Sequence, residues 1–248
     1  MKRAKVLLVS ALLAVSSLGA MTTTAMAYNA DVWTNSNSFT TKCIGVSDTY
    51  PSQLNSLGRT QLAGLGYGPV GGAIGASFTR SAFLNKVLAD WGVYVHSHGD
   101  NFYAASGRPA IDSAFLQDPG SGACSKNSRD IVRSSAIKSA TAGTPYSLVV
   151  MSTCYLGSSS STMPAAFSIE KVKTSTDREF YLSYVYSTYD SDMLRFERAF
   201  WSYLGGGSRT VLQAFTYASG IGGYSAPDAA DPFRANWWGN PNFTGRPQ

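Results

Sequence analysis

The chain has 248 residues, of which 44% are hydrophobic, 12% are aromatic and only 14% are charged. This composition excludes an intrinsically disordered chain, which would combine low hydrophobicity with high charge, and the length suits one sizeable domain. Three of the positive charges behind the net charge of +5 lie in the first five residues. Because these charges fall in a terminal segment, we expect no nucleic-acid partner.

Residues 1–27 have the features of a secretory signal peptide. Lys2, Arg3 and Lys5 precede an apolar run at 6–20, and Ala-Met-Ala at the end of the segment fits an A-x-A cleavage site. The run is shorter than the roughly 20 residues that a membrane-spanning helix needs. We therefore expect cleavage near Ala27, release to the extracellular space or the periplasm, and no stable membrane anchor.

Strands and helices are predicted to alternate along the remaining chain. Hydrophobic patterning predicts strands at 42–47, 70–74, 91–96, 146–152 and 179–187, and helices at 53–65, 81–90, 129–139, 192–204 and 208–218. Polar composition and turn residues predict irregular structure at 100–128. The last thirty residues are also expected to be irregular, with Trp237 and Trp238 docking this tail onto the domain.

This alternation predicts an α/β fold with a mostly parallel sheet flanked by helices on both faces. The predicted organisation is a signal peptide at 1–27, an α/β domain at 28–219 and an irregular C-terminal tail at 220–248. In such sheets the ligands and the reacting groups lie beyond the carboxyl ends of the strands.

The two most apolar strands each lead into a residue that can carry chemistry. One strand is followed by His98, and the other is followed by Cys154. If the strands are parallel neighbours, both side chains emerge at one edge of the sheet, where the imidazole favours the thiolate form of the cysteine. Gly99 has no Cβ, so its N–H can approach a substrate carbonyl oxygen closely. The N–H groups of Gly99 and Cys154 are therefore candidates for an oxyanion hole.

Two segments, VYVHSHGD (93–100) and SLVVMSTCYLG (147–157), resemble the signature blocks of the caspase-like cysteine peptidases, which include caspases, legumains, gingipains, clostripain and separases. The histidine precedes the cysteine by 56 residues, comparable to the spacing of about 50 in caspases. Residues 199–219 resemble the helix pair that follows in bacterial members. The resemblance implies the caspase-like fold and peptide-bond hydrolysis, with His98 as general base and acid and Cys154 as nucleophile.

The chain departs from this group next to the nucleophile. Thr153 stands where the group usually has Ala, and Tyr155 follows the cysteine. These positions do not define the substrate pocket. Asp100, Asp190 and Asp192 are candidates to line a pocket for a basic residue, and each is alternatively a surface or capping carboxylate.

Two alternatives concern the cysteines and the histidines. The three cysteines allow three single pairings; a disulfide between Cys43 and Cys124 is favoured, and either other pairing would consume Cys154. The H-x-H-x-D pattern at 96–100 also begins a metallo-β-lactamase-like zinc site. Such a site needs further histidines, and the chain has only two. We therefore expect no metal and no cofactor, and a structural role for His96 facing a neighbouring element.

The predicted function is that of a secreted cysteine endopeptidase, which acts on a peptide or protein substrate through a His98–Cys154 dyad. The alternative is a non-catalytic secreted binding module that keeps the same fold.

Overall fold

The structure is a computed structural model that describes residues 28–34, 49–103, 110–116, 131–142, 144, 146–186, 188–221 and 234–247. For residues 76, 89, 100–103 and 110–116 only the backbone is described. The predicted signal peptide, the predicted strand at 42–47 and the predicted pair Cys43 and Cys124 lie outside the described residues.

Two sheets make up the strand structure of the described residues. Their strands are β1 Ala30–Thr34, β2 Val70–Ile74, β3 Gly92–His96, β4 His98–Tyr103, β5 Ala110–Leu116, β6 Ile131–Arg133, β7 Leu148–Ser152, β8 Phe180–Tyr184 and β9 Ala235–Gly239. The main sheet has the order β2-β1-β3-β7-β8-β9, and β9 alone runs antiparallel to its neighbour. Strands β4, β5 and β6 form a small antiparallel sheet.

Helices cover both faces of the main sheet. They are α1 Tyr50–Gly64, α2 Arg80–Lys86, α3 Ser134–Thr141, α4 Met163–Ala166, α5 Asp190–Leu204 and α6 Val211–Ile221. Side chains along each strand alternate between two apolar cores: Val150 faces the core of α1, α5 and α6, and Val149 faces the core of α2, α3 and α4. The predicted α/β architecture is confirmed, and it is consistent with the caspase-like fold.

Helix α5 is fixed on the sheet by an aromatic stripe. Phe196 and Phe200 are buried one turn apart, and their rings are stacked with centroids 6.4 Å apart. Phe200 also stacks on Phe180 of β8 at 6.1 Å. Spacing of i and i+4 places such residues on one face of a helix, and burying each one stabilises the fold by about 1.5–3 kcal/mol. This packing positions the start of α5 at the carboxyl edge of the sheet.

The sequence did not predict strands β1, β4, β5 and β6. Strand β1 lies between β2 and β3 in the main sheet, although its five residues include the buried Asp31. The segment 100–128 was predicted to be irregular, which is wrong where β4 and β5 pair. The predicted helix at 129–139 is wrong at its start, because β6 precedes α3. These strands are short and carry polar residues, so the local pattern is weak.

The C-terminal tail is irregular only in part. Residues Ala235–Gly239 form β9, which extends the main sheet beyond β8. Trp237 packs into the core on one face of the sheet, and Trp238 packs into the core on the other face. The tryptophans thus dock the tail as predicted, but they do so as adjacent residues of an edge strand.

Candidate active site

Strands β3 and β7 carry the chain to a common edge of the main sheet. They are parallel neighbours, with Gly92 opposite Leu148 and His96 opposite Ser152. His98 lies two residues after His96, and Cys154 lies two residues after Ser152. The parallel pairing on which the predicted dyad depends is therefore present, in register.

Gly99 is in close contact with the backbone that carries the cysteine. A Cβ atom at Gly99 would lie 2.3 Å from the carbonyl oxygen of Cys154 and 3.0 Å from the Cβ of Thr153. Contacts this short leave no room for a side chain. The glycine therefore allows the start of β4 to pack on the residues after β7, whereas the sequence predicted a close approach by substrate. The oxyanion role of the N–H groups of Gly99 and Cys154 stays a prediction.

The segment after β7 that carries Cys154 is hydrogen-bonded to β8. The hydroxyl of Ser183 donates to the Thr153 carbonyl oxygen at 3.2 Å, and the N–H of Gly157 donates to the Tyr184 carbonyl oxygen at 2.7 Å. Between these anchors, Tyr155 has a φ of 63°, in the left-handed region that non-glycine residues rarely adopt. Such conformations persist only when the surrounding structure holds them in place.

Cys154 is a thiol rather than half of a disulfide, and it is partly buried against the α5 side of the sheet. Its sulfur accepts a hydrogen bond from the N–H of Thr188 at 3.4 Å, and its S–H donates to the carbonyl oxygen of Thr188 at 3.7 Å. The N–H donor favours the thiolate, whereas the carbonyl acceptor favours the protonated thiol. The sequence carried no signal for Thr188, because its contribution comes from the backbone and does not depend on residue type.

The surroundings of His98 favour the neutral form of its imidazole. His98 reaches the surface, but dense packing around its ring desolvates the charged state, and this lowers its pKa. The nearby His96 lowers the pKa further, while the negative charge of Asp190 opposes both effects. A neutral imidazole is the form that can accept a proton from a thiol.

His96 lies directly beneath this edge and is buried. Its Nδ1 is 3.1 Å from the carbonyl oxygen of Ser152 and 3.3 Å from the hydroxyl of the same residue. Its Nε2 is 3.8 Å from a carboxylate oxygen of Asp190. The histidine therefore faces neighbouring elements, as predicted, and it brings Asp190 into the site.

The three candidate pocket aspartates have different positions. Asp190 is the first residue of α5 and contacts His96. Asp192 lies in the first turn of α5 and pairs with Arg195 at 3.1 Å on the surface. Asp100 lies on β4, where only the backbone is described. The structure thus brings one of the three, Asp190, to the candidate dyad.

A surface groove of about 610 Å³ runs along α5, away from the dyad. Ser191, next to Asp190 in the chain, marks one end, and Arg195 and Arg198 also line the groove. Cys154 and His98 are not part of its lining. In the part of the chain that the structure describes, no group of three or more His, Cys, Asp and Glu side chains could hold a metal ion.

Comparison with known proteins identifies no family for this chain. No protein-family model matches the chain, and no curated protein matches it. The molecule is an α/β protein, consistent with the caspase-like fold, that carries a histidine and a cysteine beyond two paired parallel strands. Within the described residues, no helix is long and apolar enough to cross a membrane.

Proposed function

We propose that this protein is a secreted cysteine endopeptidase of the caspase-like type, with His98 and Cys154 as its catalytic dyad. The observation that carries this proposal is the register of β3 and β7, in which His96 lies opposite Ser152. The contact of Gly99 with the Cys154 backbone brings the residue after the histidine against the cysteine itself. Chain topology thereby carries His98 and Cys154, which are far apart in sequence, to the same edge of the main sheet.

The reaction follows from these two groups. Neutral His98 takes the proton of the Cys154 thiol, and the thiolate attacks the carbonyl carbon of the peptide bond. The N–H groups of Gly99 and Cys154 stabilise the negative oxygen of the tetrahedral intermediate, each donor contributing about 3–4 kcal/mol. The imidazolium then protonates the leaving amine. Water, deprotonated by His98, hydrolyses the remaining thioester and restores both groups.

Exposed tyrosines near the thiol favour a peptide as the ligand. Tyr155 follows the nucleophile directly, and Tyr186 and Tyr189 flank Thr188, whose backbone contacts the sulfur. Tyr189 is 80% exposed. Tyrosine presents an apolar ring with a polar end, so it suits contacts with peptides. The same three side chains are the observation that favours the second candidate function, a peptide-binding module without catalysis.

Replacing the nucleophile separates these two functions. We expect Cys154→Ala and Cys154→Ser to lower kcat/KM on a peptide library by at least about 10³-fold, because a thiolate is lost in both. Cys154→Ser keeps the size and hydrogen-bonding capacity of the side chain, so it controls for misfolding. Cleavage that is unchanged in both variants would exclude the dyad. Equal peptide binding by wild type and variants, with no cleavage by either, would establish the binding module.

Alkylation of the thiol gives a measurement that needs no substrate. We expect iodoacetamide to modify Cys154 near neutral pH, because the imidazole of the proposed dyad favours the thiolate. The rate is measured against pH in wild type and in His98→Gln. Removal of the imidazole should move the reaction to higher pH. A wild-type thiol that reacts only at alkaline pH would contradict the ion pair.

A further inference from the structure

A buried polar network lies under the candidate dyad, within the otherwise apolar core of α1, α5 and α6. Glu197 of α5 is fully buried and accepts hydrogen bonds from the hydroxyls of Tyr94 at 2.6 Å and Tyr184 at 2.9 Å. Burial raises the pKa of the Glu197 carboxyl. A buried ionisable group is costly unless it is hydrogen-bonded, so three elements, β3, β8 and α5, are held together at this carboxyl.

Ser152 connects this network to the edge of the sheet. Its side chain lies beside Glu197 and Tyr94 and lowers the pKa of both groups, and its carbonyl oxygen and hydroxyl both contact Nδ1 of His96. A carbonyl oxygen can only accept, so Nδ1 carries a proton in this contact. Nε2, on the other side of the ring, faces Asp190 at 3.8 Å. It attracts the carboxylate when it also carries a proton, because an unprotonated ring nitrogen is an acceptor. These polar contacts lead from the core to the carboxylate of Asp190 at the edge of the main sheet, where its side chain is 26% exposed.

We propose that Asp190 and His96 are a positioning pair for His98, in which His96 is anchored on Ser152 and holds the Asp190 carboxylate where its charge stabilises the imidazolium formed during catalysis. This proposal rests on the proposed peptidase function and adds two residues to its machinery. It gives Asp190 a role towards the catalytic histidine rather than towards a basic side chain of the substrate.

The electrostatics of the described groups agree with this geometry. The described titratable groups that act on His98 are His96 on β3 and Asp190 on α5, and Glu197 lies one layer deeper. Of these, Asp190 raises the pKa of His98 and His96 lowers it. The carboxylate thus acts in the direction that a stabiliser of imidazolium requires.

The test measures the titration of His98 directly. The chain contains only two histidines, so their ring C–H signals can be followed by NMR against pH and assigned with His96→Gln and His98→Gln. We expect Asp190→Asn to move the His98 midpoint to lower pH and Asp190→Glu to restore part of the shift. Asp192→Asn is the matched control from the same helical turn, and it should leave the His98 midpoint in place.

Anchoring by His96 is tested in a double variant. We expect Asp190→Asn to move the His98 midpoint less in the His96→Gln background than in wild type, because Gln has no ring nitrogen that faces the carboxylate. Equal shifts in the two backgrounds would overturn the anchoring. An unmoved His98 midpoint in Asp190→Asn, with KM raised only for substrates with Lys or Arg before the cut bond, would instead assign Asp190 to a pocket.

The titration of His98 needs no substrate and no active thiol. A result against the positioning pair can therefore be told apart from a result against the catalytic dyad. Hydrolysis that persists in Cys154→Ala would exclude the proposed peptidase mechanism whatever the histidines do. Conversely, hydrolysis that requires Cys154, together with a His98 midpoint that does not respond to Asp190→Asn, would keep the dyad and reject the positioning pair.

Discussion

Gly99→Ala is expected to lower kcat/KM by roughly 100-fold or more, since displacement of catalytic groups by about 1 Å has effects of this size. The new Cβ would lie 2.3 Å from the Cys154 carbonyl oxygen and 3.1 Å from Cγ of Leu156. A backbone atom cannot move aside as a flexible side chain can. The start of β4 and the bend at Cys154 must therefore separate, and overpacking of this kind costs about 1–3 kcal/mol of folding free energy.

The matched control for this substitution is Gly220→Ala. Gly220 lies in α6, and a Cβ there would meet no atom within 4 Å. Alanine favours the helix over glycine by about 1 kcal/mol, so stability should stay equal or rise and activity should not change. Steady-state kinetics and thermal unfolding of both variants provide the comparison. Full activity in Gly99→Ala would mean that the two segments do not need this contact.

Asp90→Asn is expected to make the free energy of unfolding depend much less on pH than it does in the wild type. Asp31 of β1 and Asp90 before β3 are buried close enough to shift each other's pKa, and Oδ2 of each carboxyl has no other hydrogen-bond partner in the described residues. Two carboxyl groups can share a hydrogen bond only if one of them holds a proton. Burial raises the pKa of Asp90 to about 8, and the charge of Asp31 adds to the shift. Burial also raises the pKa of Asp31, while Lys86 and Arg59 oppose this shift.

The direction of the pH effect on stability follows from the number of protons that the folded protein and the unfolded chain bind. Between about pH 4 and pH 8 the folded protein holds a proton on Asp90 that the unfolded chain releases, so the free energy of unfolding falls as pH rises. The slope is about 1.4 kcal/mol for each pH unit, and the stabilising contribution present at acidic pH is lost by about pH 8. Asparagine donates to Asp31 without a titrating proton, so the variant should be more stable than wild type at neutral pH.

Urea unfolding between about pH 5 and pH 8 measures this difference. Asp192→Asn is the control, because it removes a carboxylate that pairs with Arg195 at the surface, and it should keep the wild-type slope. An Asp90→Asn variant whose stability declines with pH as steeply as that of wild type would show that Asp90 is ionised in the folded protein.

The regular elements that were predicted correctly are those with strong local patterns. Strands β3 and β7 lie within their predicted ranges, and α1 and α5 begin three and two residues before theirs. Their apolar residues recur at the spacing of one helical face or form a continuous run, and these features are readable from neighbours in the chain. Strand β1 lacks such a pattern, because its place depends on pairing with β2 and β3.

The residues of the candidate site also differ in whether a local pattern identifies them. His98, Gly99 and Cys154 were identified because each lies just after an apolar strand, which is a local property. Asp190 was identified only as one of three pocket candidates, and its contact with His96 depends on where α5 begins relative to β3. Thr188 gave no signal, since its N–H and carbonyl oxygen act through backbone placement alone.

The sequence by itself determined the α/β class, the positions of most helices and strands, and the residues that stand at the strand ends. These depend on side-chain periodicity over a few residues, and the hydrophobic effect acts on them wherever the chain runs. Only the tertiary structure decided that β3 and β7 are neighbours, that Gly99 packs on Cys154, and that His96 reaches Asp190. Contacts between distant segments are selected by the packing of the whole core, so no local pattern encodes them.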